Sequence, residues 1–201
     1  MPKIVDKVQK RKDIALSCQD LIYDVGVKKL TVAQVAKTAG IGKGTVYEYF
    51  ENKDDIIFEI INIHIQKHHE SFLESIKNVE TTREKVFHFF KFVMDDSEEN
   101  LKHFNGYKEY LSVVLSDENY DMKFFNNTCH LFFKEQLKKI IEEGINKNEL
   151  IDQSINFVDG LMHFEKGVVC AKMTQVEFDA KKACEDFVNN LFDNLEVKND
   201  K

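Results

Sequence analysis

Residues that interrupt helices are scarce in this chain. One proline, Pro2, and eight glycines in 201 residues leave few strand and turn signals, which argues for a mostly helical protein. No apolar run approaches bilayer length, and the opening stretch from Met1 to Ala15 holds no signal-peptide apolar region, so a soluble, cytoplasmic protein without membrane contact is expected. The four cysteines, Cys18, Cys129, Cys170 and Cys184, are scattered without a CxxC pair, which excludes a disulfide scaffold and a zinc finger. Signatures of catalysis are missing too: there is no nucleophile elbow, HExxH or convincing triad. Gly42-Lys43-Gly44-Thr45 lacks the preceding glycine spacing of a phosphate loop. Neither an enzyme nor a cofactor is indicated. Internal repeats and low-complexity linkers are absent as well.

What is present is a real core and an uneven charge. Hydrophobic residues make up 43% of the chain, enough to exclude a disordered protein. The net charge of −7 divides unequally: Met1–Lys53 carries ten Lys/Arg against six Asp/Glu, and the remainder 18 against 29. A basic head on an acidic body means that only the head approaches phosphate.

Apolar residues Ile14, Cys18, Leu21, Ile22 and Val25 repeat on one face of a helix from Lys7 to Tyr23, which Gly26 stops. Thr31 reads as the N-cap of a short helix from Val32 to Ala39, closed by Gly40 in the left-handed conformation. A third helix runs from Lys43 to Phe50, and Asn52-Lys53-Asp54 opens a long fourth. Further helices are expected at 54–78, 82–94, 108–115, 121–143, 152–172 and 177–195. Thr81-x-x-Glu84 and Thr174-x-x-Glu177 read as capping boxes. The domains expected are 7–53 and 54–197, with the fourth helix shared between them.

The stretch from Thr31 to Lys53 has the physics of a helix-turn-helix. Val32, Val35 and Ala36 pack inward, Gly40 makes the tight turn, and Ile41 and Val46 lock the third helix. Lys43, Gly44, Thr45, Tyr47 and Tyr49 are left at or near the exposed half that enters a major groove.

Over about its first 65 residues the chain resembles the TetR family of repressors. The match rests on Thr31, Ala39-Gly40-Ile41, Lys43-Gly44-Thr45-Val46-Tyr47, Tyr49-Phe50 and Lys53. The resemblance implies an all-α fold: a three-helix DNA-binding head followed by a helical ligand-binding and dimerisation domain. It further implies phosphate contacts from Thr31, Tyr47, Tyr49 and Lys53. Lys43, Gly44 and Thr45 are implied nearest the base edges, with Gly44 letting the backbone approach. Packing is the competing role for both tyrosines. Gly42 departs from the family, which usually has Ser or Thr there; glycine is a tolerable cap without a hydroxyl.

In the body, Gly160, Phe164, Gly167 and Ala171 form one stripe, and Val176, Ala180, Ala183, Phe187 and Leu191 form a coiled-coil-like seam. Together they suggest a homodimer through the last two helices, the symmetry that palindromic half-sites require. Sixteen of the 17 phenylalanines lie beyond Phe50. Most are ordinary core, but the resemblance implies a cavity for a small effector, and Phe104, Tyr107, Tyr110, Phe125, Phe133 and Glu165 are its candidate lining. Such lining suits a bulky apolar or aromatic effector. Glu109, Asp159, His163 and Glu165 stand in apolar settings, where a carboxylate receives a cation or is satisfied by a partner. His64 and His68, with His69 adjacent, have metal-holding spacing but no matching further ligand except Glu70, so a surface cluster is expected and no metal. The cysteines offer a redox switch, but Cys18 lies on the core face of the first helix, and Cys170 and Cys184 read most simply as small buried residues. Two functions compatible with the head remain: a ligand-released repressor on palindromic operator DNA, and an effector-independent architectural or cell-division factor.

Overall fold

The computed structural model describes residues 6–26, 29–115 and 120–198, with the side chains of Tyr23, Asp24, Glu99, Glu109 and Val113 outside the description. The expected role of Glu109 therefore lies outside the described residues. The protein is all-α. Its helices are α1 (Lys7–Ser17), α2 (Gln19–Val25), α3 (Val32–Thr38), α4 (Lys43–Tyr49), α5 (Lys53–Ile76), α6 (Thr82–Phe89), α7 (Lys91–Met94), α8 (Glu98–Val114), α9 (Tyr120–Asn146), α10 (Val158–Thr174) and α11 (Ala180–Leu195). A 3₁₀ helix, Asp152–Phe157, precedes α10.

The chain forms two compact units: Met1–His69 with Lys102–Asn126, and Glu70–Leu101 with Asn127–Lys201. The first therefore extends beyond the expected division after Lys53, taking in most of α5 and α8 and the start of α9. Its core joins Ile14, Cys18 and Ile22 to Val35, Val46, Phe50 and Ile56, and on to Tyr110, Val114 and Met122.

Where the first long helix was expected, α1 and α2 are separate. The Ser17 hydroxyl donates to the Ile14 carbonyl (2.7 Å) and the Cys18 N–H turns back to Ala15 (3.0 Å). This local bonding competes with the α-helical ladder, yet the apolar face continues across the break. Similarly, the expected helix 82–94 breaks at Phe90, whose N–H is shared between the Val86 and Phe87 carbonyls at 3.2 and 3.1 Å.

In the second unit α11 buries Ala180, Cys184, Val188, Phe192 and Leu195, one face at helical spacing. Its start corrects the expected capping box at Thr174. Thr174 ends α10, donating to the Cys170 carbonyl (2.7 Å), and Glu177 has a φ of 56°. Asp179 is the cap, accepting from the Lys182 N–H at 2.8 Å. At its other end α11 is clasped. The Ile151 N–H donates to Leu195 and the Val197 N–H to Glu149, both at 2.9 Å, and Arg83 of α6 holds Glu196 (2.8 Å) and Asp193 (2.7 Å). At Thr81 half of the expected box forms: Thr81 accepts from the Glu84 N–H at 3.2 Å, and the Glu84 carboxylate accepts from the Thr81 hydroxyl at 2.9 Å rather than from its backbone N–H.

The seam proposed for dimerisation divides. Ala180 turns into its own unit, and Val176, 92% exposed, lies outside α11. Ala183, Phe187 and Leu191 remain half-buried beside Phe164 and Ala171, with Gly160 and Gly167 exposed. Phe164 stacks on Phe187 with ring centroids 3.8 Å apart.

Candidate nucleic-acid interface

The head is assembled by caps and one glycine. Thr31 accepts from the Gln34 N–H (3.3 Å), while the Gln34 side-chain oxygen accepts from the Thr31 N–H (2.9 Å) and from its hydroxyl (2.7 Å). This reciprocal box starts α3. The hydroxyl proton of Thr31 is thus committed within the chain. α3 ends at Gly40, with φ 65°. The Gly40 N–H reaches Lys37 (3.3 Å) and the Ile41 N–H reaches Ala36 (3.0 Å), the paired bonds of a Schellman ending. That turn sets the direction from which α4 departs.

On α4, Val46 is buried against the core and Phe50 caps the end behind it. Lys43 and Gly44 are exposed, Thr45 is half-buried, and the Tyr47 ring is 60% exposed. Tyr49 differs: it is half-buried and packs against the head's core, so its competing packing role is realised. Lys53 is half-buried at the first position of α5, whose N-terminus is bonded by Asn52 and Asp55 at 3.0 and 2.9 Å. Gly42 caps α4 without a side-chain bond. A Cβ there would meet only the Thr45 hydroxyl at 4.0 Å, and one on Gly44 would meet nothing within 4 Å. Among the described residues no neighbour forces either glycine.

Sequence reasoning missed Arg11. From α1 its Nε bonds Glu59 of α5 at 2.7 Å, its Nη1 donates to the Tyr49 carbonyl at the end of α4, and its guanidinium lies 4.4 Å from the Phe50 ring centroid. One side chain therefore ties α1, α4 and α5 together. The signal was a charge continuing the buried stripe Ile14, Ala15, Cys18 by one turn.

The candidate effector residues fall in both units. Phe104 and Tyr110 are buried and Tyr107 and Phe125 half-buried in the first. The Tyr110 ring lies 5.8 Å from Tyr107 and 6.4 Å from Phe125, whose ring is 5.1 Å from Phe58. Phe133, 6.4 Å from Phe89, and Glu165 belong to the second. Glu165 lies between Met162 and Val168 on the inward stripe of α10, where burial pushes its carboxyl up to about 7, with Lys166 opposing. The settings of Asp159 and His163 are not apolar. Asp159 is exposed and paired with Lys134 at 2.6 Å, and His163 is exposed.

The histidines also differ from expectation. His64, His68 and His69 are half-buried rather than a surface cluster, because α8 brings His103 against them, 5.0 Å from His64 between ring centroids. Burial, then the neighbouring His103 and Lys67, lowers His64 to about 4. Among the described residues no group of three or more His, Cys, Asp or Glu is placed to hold a metal, and no helix is long and apolar enough to cross a membrane.

Residues 19–60 match the family model of bacterial regulatory proteins, tetR family. The fatty acid metabolism regulator protein of Bacillus subtilis is 34% identical over 67 residues, covering 33% of this chain and 34% of that one; the chain thus spans about a third of the length of that relative. Among solved structures, a TetR-family transcriptional regulator from Cytophaga hutchinsonii superposes with a TM-score of 0.78 at 18% identity, covering 98% of this chain and 100% of that one. The regulator FadR from Bacillus subtilis, in complex with stearoyl-CoA, gives 0.62 at 23% identity, covering 90% and 96%. The solved structures share the fold, and in sequence it is the head, residues 19–60, that carries the tetR-family domain.

Proposed function

We propose that the chain is a one-component transcriptional repressor. Residues 7–53 bind palindromic operator DNA, and residues 54–197 hold a small effector and pair two copies through the last two helices. The observation that carries this reading is the surface of α4. Its inner side is fixed by Val46 and by Arg11, while Lys43, Gly44 and Tyr47 are presented outward without internal duty. Tyr47 and Lys53 serve as phosphate contacts, and Lys43, Gly44 and Thr45 lie at the base edges. Thr31 reaches phosphate through its hydroxyl only by giving up its bond to Gln34. Tyr49 contributes chiefly by packing.

With few cations per head and an acidic body, two heads are needed to gather enough phosphate contacts for tight binding, and affinity falls steeply with salt. A bulky apolar or aromatic effector then moves α5 and sets the two heads out of register with successive grooves. A relative bound to stearoyl-CoA supports an apolar effector class. The soluble, cytoplasmic setting follows from this role.

The test starts from operator duplexes selected by the unaltered chain from a random pool. Tyr47→Ala is expected to lose binding to them while sedimenting as the same oligomer. Normal specific affinity in that variant would refute the assignment of α4. An effector-independent architectural factor is instead indicated if selection returns no sequence preference.

A further inference from the structure

In the second unit α9 and α10 each present two polar side chains at i, i+4 spacing, which sets them one above the other on a helix face. α9 carries His130 and Lys134, and α10 carries Asp159 and His163. The four meet across the seam as two rungs. In one, Lys134 holds Asp159 at 2.6 Å. In the other, the His130 and His163 rings lie side by side, their centroids 6.1 Å and their planes 33° apart.

The first rung is a satisfied ion pair at the surface. The second has no such account within the chain. His130 Nδ1 is buried without a hydrogen-bond partner, and among the described residues no hydrogen bond fixes the exposed His163 ring. Both rings can therefore turn toward a common ion. Two imidazoles on one tetrahedral ion, with bonds of about 2.0–2.1 Å, have ring centroids about 5 Å apart. Closing from 6.1 Å needs only about 1 Å, which rotation of the exposed His163 supplies. Burial, then Lys166, His163 and Lys134, with Asp159 opposing, hold His130 below the ordinary imidazole range. Near neutral pH its ring is thus in the unprotonated form that ligates metal.

From this arrangement we propose that the seam between α9 and α10 binds a divalent transition ion of the zinc class through His130, His163 and Asp159, with water in the fourth position. While Lys134 holds Asp159, only the two imidazoles converge, in keeping with the lack of a three-donor group among the described residues. The ion draws the carboxylate away from Lys134. Both partners of that pair are partly exposed to solvent, and such pairs contribute little, so the exchange costs little. Lys166, half-buried on α10, opposes a cation and limits the affinity. The bound ion ties α9 to α10, and the site is independent of the repressor reading.

The probe is Zn²⁺, titrated into the full-length chain after treatment with a chelator. Calorimetry reads the stoichiometry, and imidazole NMR reads which of the seven histidines respond. Expected is one ion per chain, shifts confined to His130 and His163, and a higher melting temperature at saturation. His163→Ala, at an exposed position, should weaken binding at least about tenfold, and Asp159→Asn by less. Lys134→Met should tighten it, because it releases Asp159 and removes a cation. A seam that is merely structural gives no reason for that gain.

The proposal is overturned if Zn²⁺ shifts His64, His68, His69 or His103 and leaves His130 and His163 unmoved. Binding that does not saturate at one ion per chain overturns it as well, as does unchanged affinity in His163→Ala or weaker affinity in Lys134→Met. The NMR titration of the unaltered chain decides the matter even if Lys134→Met fails to fold. Operator binding by the same preparation is measured in parallel; its absence sinks the repressor reading and leaves the metal site standing.

Discussion

Replacing Arg11 by methionine keeps most of the aliphatic stem and removes three attachments together. The bond to the Tyr49 carbonyl is charge-assisted, of a class contributing about 1.5–3 kcal/mol. The 2.7 Å pair with Glu59 is partly buried and contributes about 1 kcal/mol, near the upper end for exposed pairs. The guanidinium 4.4 Å over Phe50 adds about 0.5–1 kcal/mol. These contacts share one side chain and do not add, so the expected loss is about 2–3 kcal/mol. For a chain of this size that lowers the melting temperature of the head by about 5–10 °C. Scanning calorimetry of Arg11→Met and Arg11→Lys checks it, with lysine intermediate because it keeps charge without the fork. Operator affinity is then measured well below both transitions. There the methionine variant should bind more weakly, since the carboxyl end of α4 has lost its tether. A melting temperature within a degree of the unaltered chain would refute the clamp, and weaker melting with unchanged affinity would reduce Arg11 to a stabilising residue.

Other expectations are independent of it. Gly144→Ala places a Cβ 2.3 Å from the Thr82 hydroxyl oxygen and 3.1 Å from Leu150 Cδ1. Overpacking of about 1–3 kcal/mol exceeds the helix-propensity gain of about 1 kcal/mol, so urea unfolding should show net destabilisation; a more stable variant refutes this. Gly40→Ala has open space around it but a φ of 65°, so it should cost about 1 kcal/mol and Gly40→Asn less; equal losses would point to a steric cause. Acidification should weaken the first unit. His64 titrates near 4 when folded against 6.5 for an unperturbed imidazole, so between those values the unfolded chain binds more protons. Stability is therefore lost as pH falls from 8, by about 1 kcal/mol at pH 5 after discounting for solvent screening, and the loss is complete below about pH 4. Denaturation curves of the unaltered chain and His64→Gln should therefore converge at low pH; parallel curves count against the shift.

The head was legible because its punctuation is local. Thr31, Gly40 and the apolar positions between them act within one or two turns, so spacing alone implies the cap, the turn and the buried side of α4. Where tertiary contact decides, the sequence reads poorly. The first half of α8, with Glu98, Asn100, Lys102 and Asn105, has little apolar period, so a helix is expected only from Lys108. Ser97 starts it earlier by accepting from the Asn100 N–H at 3.3 Å, and burial of Phe104 holds it. His103 meets His64 from 39 positions away, which no local pattern encodes. For the same reason the three α5 imidazoles read as surface in the sequence.

The clasp at the end of α11 has a consequence for how the second unit opens. A helix near a chain end ordinarily unzips from its free tip, and its amides exchange with solvent in graded order. Here the tip is tied twice, by the backbone bonds of Ile151 and Val197 and by the grip of Arg83 on Asp193 and Glu196. Unzipping from that side must first break bonds to α6 and to the segment after α9. The amides of α11 from Val188 to Leu195 should therefore exchange together, at a rate shared with α6, as one cooperative block.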